Sequence, residues 1–359
     1  MAITAETLRI AAQLRRQVGS IVDDVTRSLT AAWVKAWDEI LFEVVAAIGE
    51  LLQIGDGQWP TRRQIEHTAR VVRALDVIGA TLERLAALTR SQTVEGATQA
   101  ARLGLHAQGD LIASQLPYGS TQAAAARYGV QQPDAIDAIV RRTAEQINAR
   151  HWPLAEEATA AMKRELARGV IVGDNPRTSA ARMTRNLEGV FNGGLTRALN
   201  LARTETLDAH RAAAEMGQEQ HEDVLEGWVW HAELNDSRAR TCPSCWALHG
   251  KVFPLSVPGP IDHQQGRCSR TPKTKSWAAL GFEGIKEPDD LIPNAREIFD
   301  NLPEDEQVAI MGRTRLALLK WGEIEWEDLS ELRTTPDWRD SYGVRPVKDL
   351  ERIAKERAA

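Results

Sequence analysis

Apolar residues recur at spacings of three and four through Ala11, Leu14, Val18, Ile21, Val25, Leu29, Trp33, Ala36, Ile40, Val44, Ile48 and Leu51, the repeat of a helix with one buried stripe. The pattern predicts a single amphipathic helix over 5–54, roughly 70 Å long at about 1.5 Å per residue. Gly55-Asp56-Gly57 and Pro60 end it, and Thr61 with Gln64 then offers a capping box for a second helix reaching about Leu88. Together they read as a long N-terminal helical hairpin. Further helices are expected at about 93–115, 132–150 and 153–168, separated by Leu116-Pro117-Tyr118-Gly119 and Trp152-Pro153.

Around residue 172 the texture changes. Gly173-Asp174-Asn175-Pro176 supplies a turn, an Asn N-cap and a proline at the first helical position, which places a domain boundary and a new helix there. That helix is expected to reach Phe191, pause at Gly193-Gly194 and resume to Met216 before Gly217. From Trp228 the period drops to two, with Trp228, Trp230 and Ala232 on one side and Val229 and His231 on the other, a short strand; Lys251-Val252-Phe253 reads as a second. The turn-rich run Val257-Pro258-Gly259-Pro260 is too irregular to hold a core without a staple. Beyond Pro293 the helical period returns, with Ile298, Leu302, Val308, Ile310 and Leu316 as core positions and Trp321, Trp326 and Trp338 as anchors of a charged end.

Composition narrows the function classes. With 44 basic and 50 acidic side chains and a net charge of −6, the chain has no overall electrostatic drive toward nucleic acid or acidic membranes. The excess acid lies beyond residue 280. Contact with double-stranded DNA would have to be local and nonspecific, through pairs such as Arg62-Arg63 and Arg141-Arg142. No stretch approaches the roughly 18–20 apolar residues of a membrane span, and the N-terminus carries no basic segment followed by an apolar signal core; a soluble protein made in the cytoplasm is expected.

The three cysteines, Cys242, Cys245 and Cys268, crowd into one short segment, the usage of a metal site rather than of a secreted disulfide framework. Cys242-Pro243-Ser244-Cys245 brings two thiolates into one turn, half of a tetrahedral zinc site, and His263 with Cys268 supplies the other half from a loop flanked by Gly259 and Gly266. His249, four residues after Cys245, competes for the fourth position. Four protein ligands would close the coordination sphere and make the zinc structural. The fold class is therefore mainly α with a small α+β zinc-stapled central domain, divided as 1–172 helical, 173–280 zinc domain and 281–359 acidic helical extension. One alternative is a zinc-supported HNH-like nuclease led by Asp262-His263, but His263 is the last histidine of the chain and the next asparagine is Asn294. Serine-hydrolase, phosphate-loop and His-Glu-x-x-His motifs do not occur, and no enzyme activity is expected. On the preceding helix, Arg203 and Glu205 point about 200° apart and lack opposite charges three or four residues away, so their partners would be tertiary; Asp236 and Arg238 are the respective candidates.

In their order and spacing, these residues resemble the Mu F-like minor head proteins of tailed phages: Gly-Asp-Asn-Pro (173–176), Ala-Arg-Thr-Glu-Thr (202–206), Trp228, Asp236-Ser-Arg238, Cys242 to Cys245, Leu248-His-Gly250 with Lys251-Val-Phe253, then Pro260, His263 and Arg267-Cys268. The resemblance spans 173–275, and Phe299, Leu302-Pro303, Gln307, Gly312 and Leu316 look like the helical extension found after this domain in some members. It implies a low-copy head component in the virion, associated with the portal protein or with major capsid or scaffold protein, without catalysis. One position departs from the pattern. Many members have a cysteine where Gly266 stands, which leaves three thiols here and makes His263 necessary for a four-ligand site.

Overall fold

The computed structural model describes residues 2–56, 59–117, 122–128, 133–149, 154–172, 176–234, 241–335 and 338–358. The chain is mainly helical with a small sheet region. Its first helices are α1 (Ala5–Ile54), α2 (Arg62–His67), α3 (Ala69–Ala113), α4 (Gln122–Arg127), α5 (Pro133–Ala149), α6 (Leu154–Val172) and α7 (Pro176–Glu219). There follow β1 (Leu225–His231), α8 (Pro243–Leu248), β2 (Val252–Phe253), β3 (Ser269–Thr274), α9 (Ala295–Asp300), α10 (Glu304–Met311) and α11 (Arg313–Lys320). A 3-10 turn at Trp326–Leu329, the hairpin β4 (Ser330–Thr335) and β5 (Trp338–Val344), and α12 (Val347–Ala358) complete the order.

Several expectations need correction, each for a local physical reason. The second helix stops early: Thr61 and Gln64 do form the capping box, but α2 ends at Thr68, whose backbone is extended. The next helix then runs through the region expected to part it near residue 90. Thr89 and Thr93 turn their hydroxyls back onto the carbonyls of Leu85 and Thr89 at 2.8 and 2.7 Å, so buried side chains that favour breaks satisfy themselves within the helix. No pause occurs at Gly193-Gly194 either, since α7 is continuous from Pro176 to Glu219. A Cβ on Gly194 would lie 2.7 Å from atoms of Leu154 and Trp33; the glycine serves close helix packing rather than a break. The charged end is not purely helical, because β4 and β5 pair antiparallel with Leu332 opposite Tyr342 and Ser330 opposite Val344. Of its tryptophans, Trp321 is exposed, Trp326 packs against Phe299 at 5.3 Å between ring centroids, and the side chain of Trp338 lies outside the described residues. The turn expected at 173–175 also lies outside them.

The chain divides into two compact units, each discontinuous in sequence. Residues 1–20, 97–140 and 207–359 form one, and 21–96 with 141–206 form the other. In the second unit, Trp33, Ile40, Val44 and Leu51 of α1 share a core with Ile78 and Leu82 of α3, Met162 of α6, and Met183, Leu187 and Phe191 of α7. Trp33 meets Phe191 with ring centroids 4.8 Å apart.

In the first unit β1 is the central strand of a three-stranded sheet, between β2 and β3. Trp228 lies opposite Phe253 on one side and Pro272 on the other. β3 carries a proline and no apolar alternation, which suits an edge position and hides the strand from pattern reading. The aromatic face of the sheet packs with Cys245, Leu248, Cys268 and Tyr342. A neighbouring cluster joins Trp246 to Phe299, Met311, Leu316, Leu329 and Leu350, so α9 to α12 and the hairpin are built onto α8. The chain's start belongs here as well: Ile3 is fully buried, and its carbonyl accepts from Leu291 N at 2.9 Å.

The two adjacent glycines should respond in opposite directions. Gly193→Ala, with nothing within 4 Å of the added carbon, is expected to stabilise by about 0.5–1 kcal/mol through helix propensity. Gly194→Val should destabilise by about 1–3 kcal/mol through overpacking. Denaturant unfolding of both variants measures the contrast.

Candidate metal centre

Cys242 sits at the N-cap of α8 and Cys245 one turn inside it, with Trp246 N donating to the Cys242 carbonyl at 3.1 Å. The two sulfurs are 3.4 Å apart, and His263 Nε2 lies 3.3 Å from Cys242 Sγ and 3.6 Å from Cys245 Sγ. A tetrahedral zinc with Zn–S near 2.3 Å and Zn–N near 2.0 Å has edges of about 3.5–3.8 Å, so these three donors are spaced as three corners around such an ion. Cys268 enters through a second triad, with Cys245 and Asp262, whose ligand atoms all lie within 4.8 Å of one another. The cluster is thus two triads sharing the Cys245 sulfur, and its donors could hold a metal ion.

His249, the competing histidine, is directed elsewhere. Its Nδ1 accepts from Ala232 N at 3.1 Å, and its ring meets His231 edge-on at 5.4 Å. It buttresses β1 behind α8 and belongs to neither triad.

Asp262 holds the ligand loop in shape. Its side chain is 0 % exposed; one oxygen accepts from His263 N at 2.9 Å, and the other from Cys268 N at 3.0 Å and from Arg211 at 3.2 Å. Arg211 is itself buried and donates further to the carbonyls of Gly266 at 2.6 Å and Cys268 at 2.9 Å, and to Asp208 at 2.9 Å. Asp208 in turn receives Arg339 of β5. Burial pushes the Asp262 carboxyl up, but Arg211 and His263 beside it leave it below its ordinary value. Gly266 completes the loop: its N–H donates to the His263 carbonyl at 2.9 Å, and a Cβ there would lie 2.1 Å from the Asp262 carboxyl. The glycine therefore makes room for the buried carboxylate.

Electrostatics separates the three thiols. Contact with Cys245, against the cost of burial and aided by His263, brings Cys242 down to about 5. Cys245 is pushed well above its usual value by its contacts with the Cys242 and Cys268 sulfurs and by burial. Burial likewise raises Cys268. His263, despite burial, is lifted to about 9 by Cys242 and Asp262.

The run 254–260 is stapled by an arginine. Arg270 of β3 lies over the Trp228 ring at 4.7 Å and donates to the carbonyls of Leu255 at 3.1 Å and Val257 at 3.0 Å, and to Gln218 at 2.6 Å. Sequence reading missed Arg211, Asp208 and Arg270, each of which has a partner far along the chain; Asp262 stood out only as the residue before His263.

On α7, Glu205 is buried rather than solvated, and Arg203 is half-buried with its guanidinium 3.9 Å from Asp23 of α1. Their expected partners, Asp236 and Arg238, lie outside the described residues.

Residues 160–269 match the family described as phage Mu protein F like protein. That segment, about a third of the chain, is similar to a phage Mu F-like domain. No curated protein and no solved structure matches the chain. The matched segment contains all five residues of the two triads together with Arg211.

Arg211→Ala should cost about 3–5 kcal/mol by leaving the Asp262 charge buried and unpaired. Adding Asp262→Asn should recover part of that loss, a coupling that a double-mutant cycle measures. The buried histidines give a pH signature. Burial lowers His210 and His249 to about 4, and His231 well below its ordinary value. An unfolded chain takes up protons at these groups near pH 6.5, whereas the folded one does not. Their linkage to stability is therefore absent above about pH 6.5 and destabilising as pH falls toward 4. Urea midpoints of metal-free protein that stayed constant from pH 7 to 5 would contradict this.

Proposed function

We propose that this protein is a minor capsid protein of a tailed bacteriophage, acting in head morphogenesis and residing in the virion head at or near the portal. The match over 160–269 carries the reading, because that one segment contains the whole cysteine-histidine cluster. In this reading 173–280 is the stapled Mu F-like domain, 1–172 provides the docking helices and 281–359 is the C-terminal extension.

The centre binds one zinc ion through Cys242, Cys245, His263 and Cys268. Cys268 is favoured over Asp262 as the fourth ligand because both Asp262 oxygens already serve backbone N–H groups, one of them also Arg211. A bound zinc with four protein ligands supplies folding energy and leaves no position for an activated water. The same contacts weigh against an HNH-like nuclease: Asp262 is buried in a structural pair, and His263 Nε2 faces two sulfurs.

For docking on portal, major capsid or scaffold protein, α1 presents an apolar face to solvent. Phe42 is 67 % exposed, and Val34 and Val45 are exposed with it; at 100° per residue the three fall within an arc of roughly 80°. Exposed apolar clusters of this kind mark contact surfaces more often than chance placement. Nonspecific contact with the packaged DNA through exposed arginines such as Arg62 and Arg63 is a lesser part of the reading.

Two measurements test it. Elemental analysis should find one zinc per chain, lost with thermal stability in Cys242→Ser and His263→Ala; metal-dependent cleavage of plasmid DNA abolished by His263→Ala would instead establish the nuclease. In an infection complemented by plasmid, Phe42→Asp with Val45→Asp should leave the melting temperature within about 2 °C of the parent. The same variant should deplete the protein from purified heads at least tenfold on immunoblots. Unchanged incorporation would remove α1 as the docking surface, and absence of the parent protein from heads would remove the capsid reading itself.

A further inference from the structure

We infer that the groove between α2, the start of α3 and α6 receives an acidic amphipathic helix of a partner protein. This inference does not depend on the head-protein reading. The groove has a volume of 590 Å³, within the range of about 300–1,000 Å³ typical of ligand clefts. Its floor is aliphatic: Val71 and Leu166 are buried, Leu75 is half-buried, and Val72 stands 46 % exposed at the edge.

The rim decides the occupant. Arg62, Lys163 and Arg164 border the floor, all three exposed, and the one carboxylate in the lining, Glu66, is engaged by Arg62 at 2.7 Å. An apolar trough between cations matches a helix with apolar residues at i, i+3 or i+4, and i+7 between Asp and Glu, the helix-in-groove mode of recognition. Opposed charge at such a rim steers encounter and fixes orientation, and it disfavours basic competitors. A nucleic-acid backbone would satisfy the cations but leave exposed Val72 and half-buried Leu75 against water or phosphate, so the floor favours a protein helix. The walls come from α2 and α3 on one side and α6 on the other, and α6 lines the groove with residues at helical spacing, 163, 164, 166 and 167.

The test is selection from a helical peptide library with open positions, using the full-length protein as bait, followed by fluorescence polarisation of the selected peptide. The expected outcome is an apolar i, i+4, i+7 consensus flanked by Asp and Glu. Binding should weaken at least tenfold in Val72→Asp and in the double variant Lys163→Glu, Arg164→Glu. These side chains are exposed, so an unchanged circular-dichroism melt separates lost docking from lost folding. A consensus with basic flanks, no enriched consensus, or binding unaltered in both variants would overturn the inference. A labelled DNA duplex is run in parallel. Duplex binding stronger than that of any selected peptide, and lost in the Lys163, Arg164 double variant, would assign the groove to nucleic acid and overturn it equally.

Discussion

Arg211 and Asp262 meet where neither can reach water, and the ligand loop takes its shape from that meeting. Two opposite charges taken out of solvent each lose several kcal/mol of hydration, which only close pairing and complete hydrogen bonding restore. Here the restoration is thorough. The carboxylate fixes the N–H groups at both ends of the stretch from His263 to Cys268, and the guanidinium gathers two of its carbonyls. A loop without core of its own is thus drawn around one ion pair, and two metal-ligand candidates are set as a by-product. Gly266 belongs to the same arrangement, since any side chain there would displace the carboxylate.

The same solution recurs beside it. Arg270 lies over the Trp228 ring and collects carbonyls of the neighbouring run as Arg211 does for the ligand loop. Irregular backbone is costly to bury because each carbonyl needs a donor. A guanidinium offers five donors in a fixed fork, so two arginines meet much of that demand. Metal, where bound, would tie α8 to a loop whose path these arginines have already set.

What the sequence made legible followed from periodicity and from ligand chemistry. The full extent of α1, the capping box at Thr61 and the short strand at Trp228 each leave a local signature, and so did the proximity of Cys242, Cys245 and His263. What escaped depended on contacts distant in the chain. Gly193 and Gly194 look alike in sequence, and only the position of Trp33 and Leu154 tells the spacer from the bystander. Thr89 and Thr93 look like breakers until their hydroxyls are seen to close on the helix itself. β3, β4 and β5 are too polar to announce themselves; β3 pairs with the edge of β1, and β4 and β5 pair with each other. Arg211 lies 51 residues before Asp262 in the chain, with no motif to link them.

The discontinuity of the unit that carries the cysteines has a consequence for how the chain is made. Ile3 bonds to Leu291, Ser244 to Ser330, and Ile261 to Tyr342, so that unit closes only after β4 and β5 have been made. At about 5–20 residues per second, its earliest segment waits tens of seconds for its partners, and the three thiols emerge before the hairpin that covers α8. During that interval the nascent cysteines are open to whatever metal or oxidant the surroundings supply.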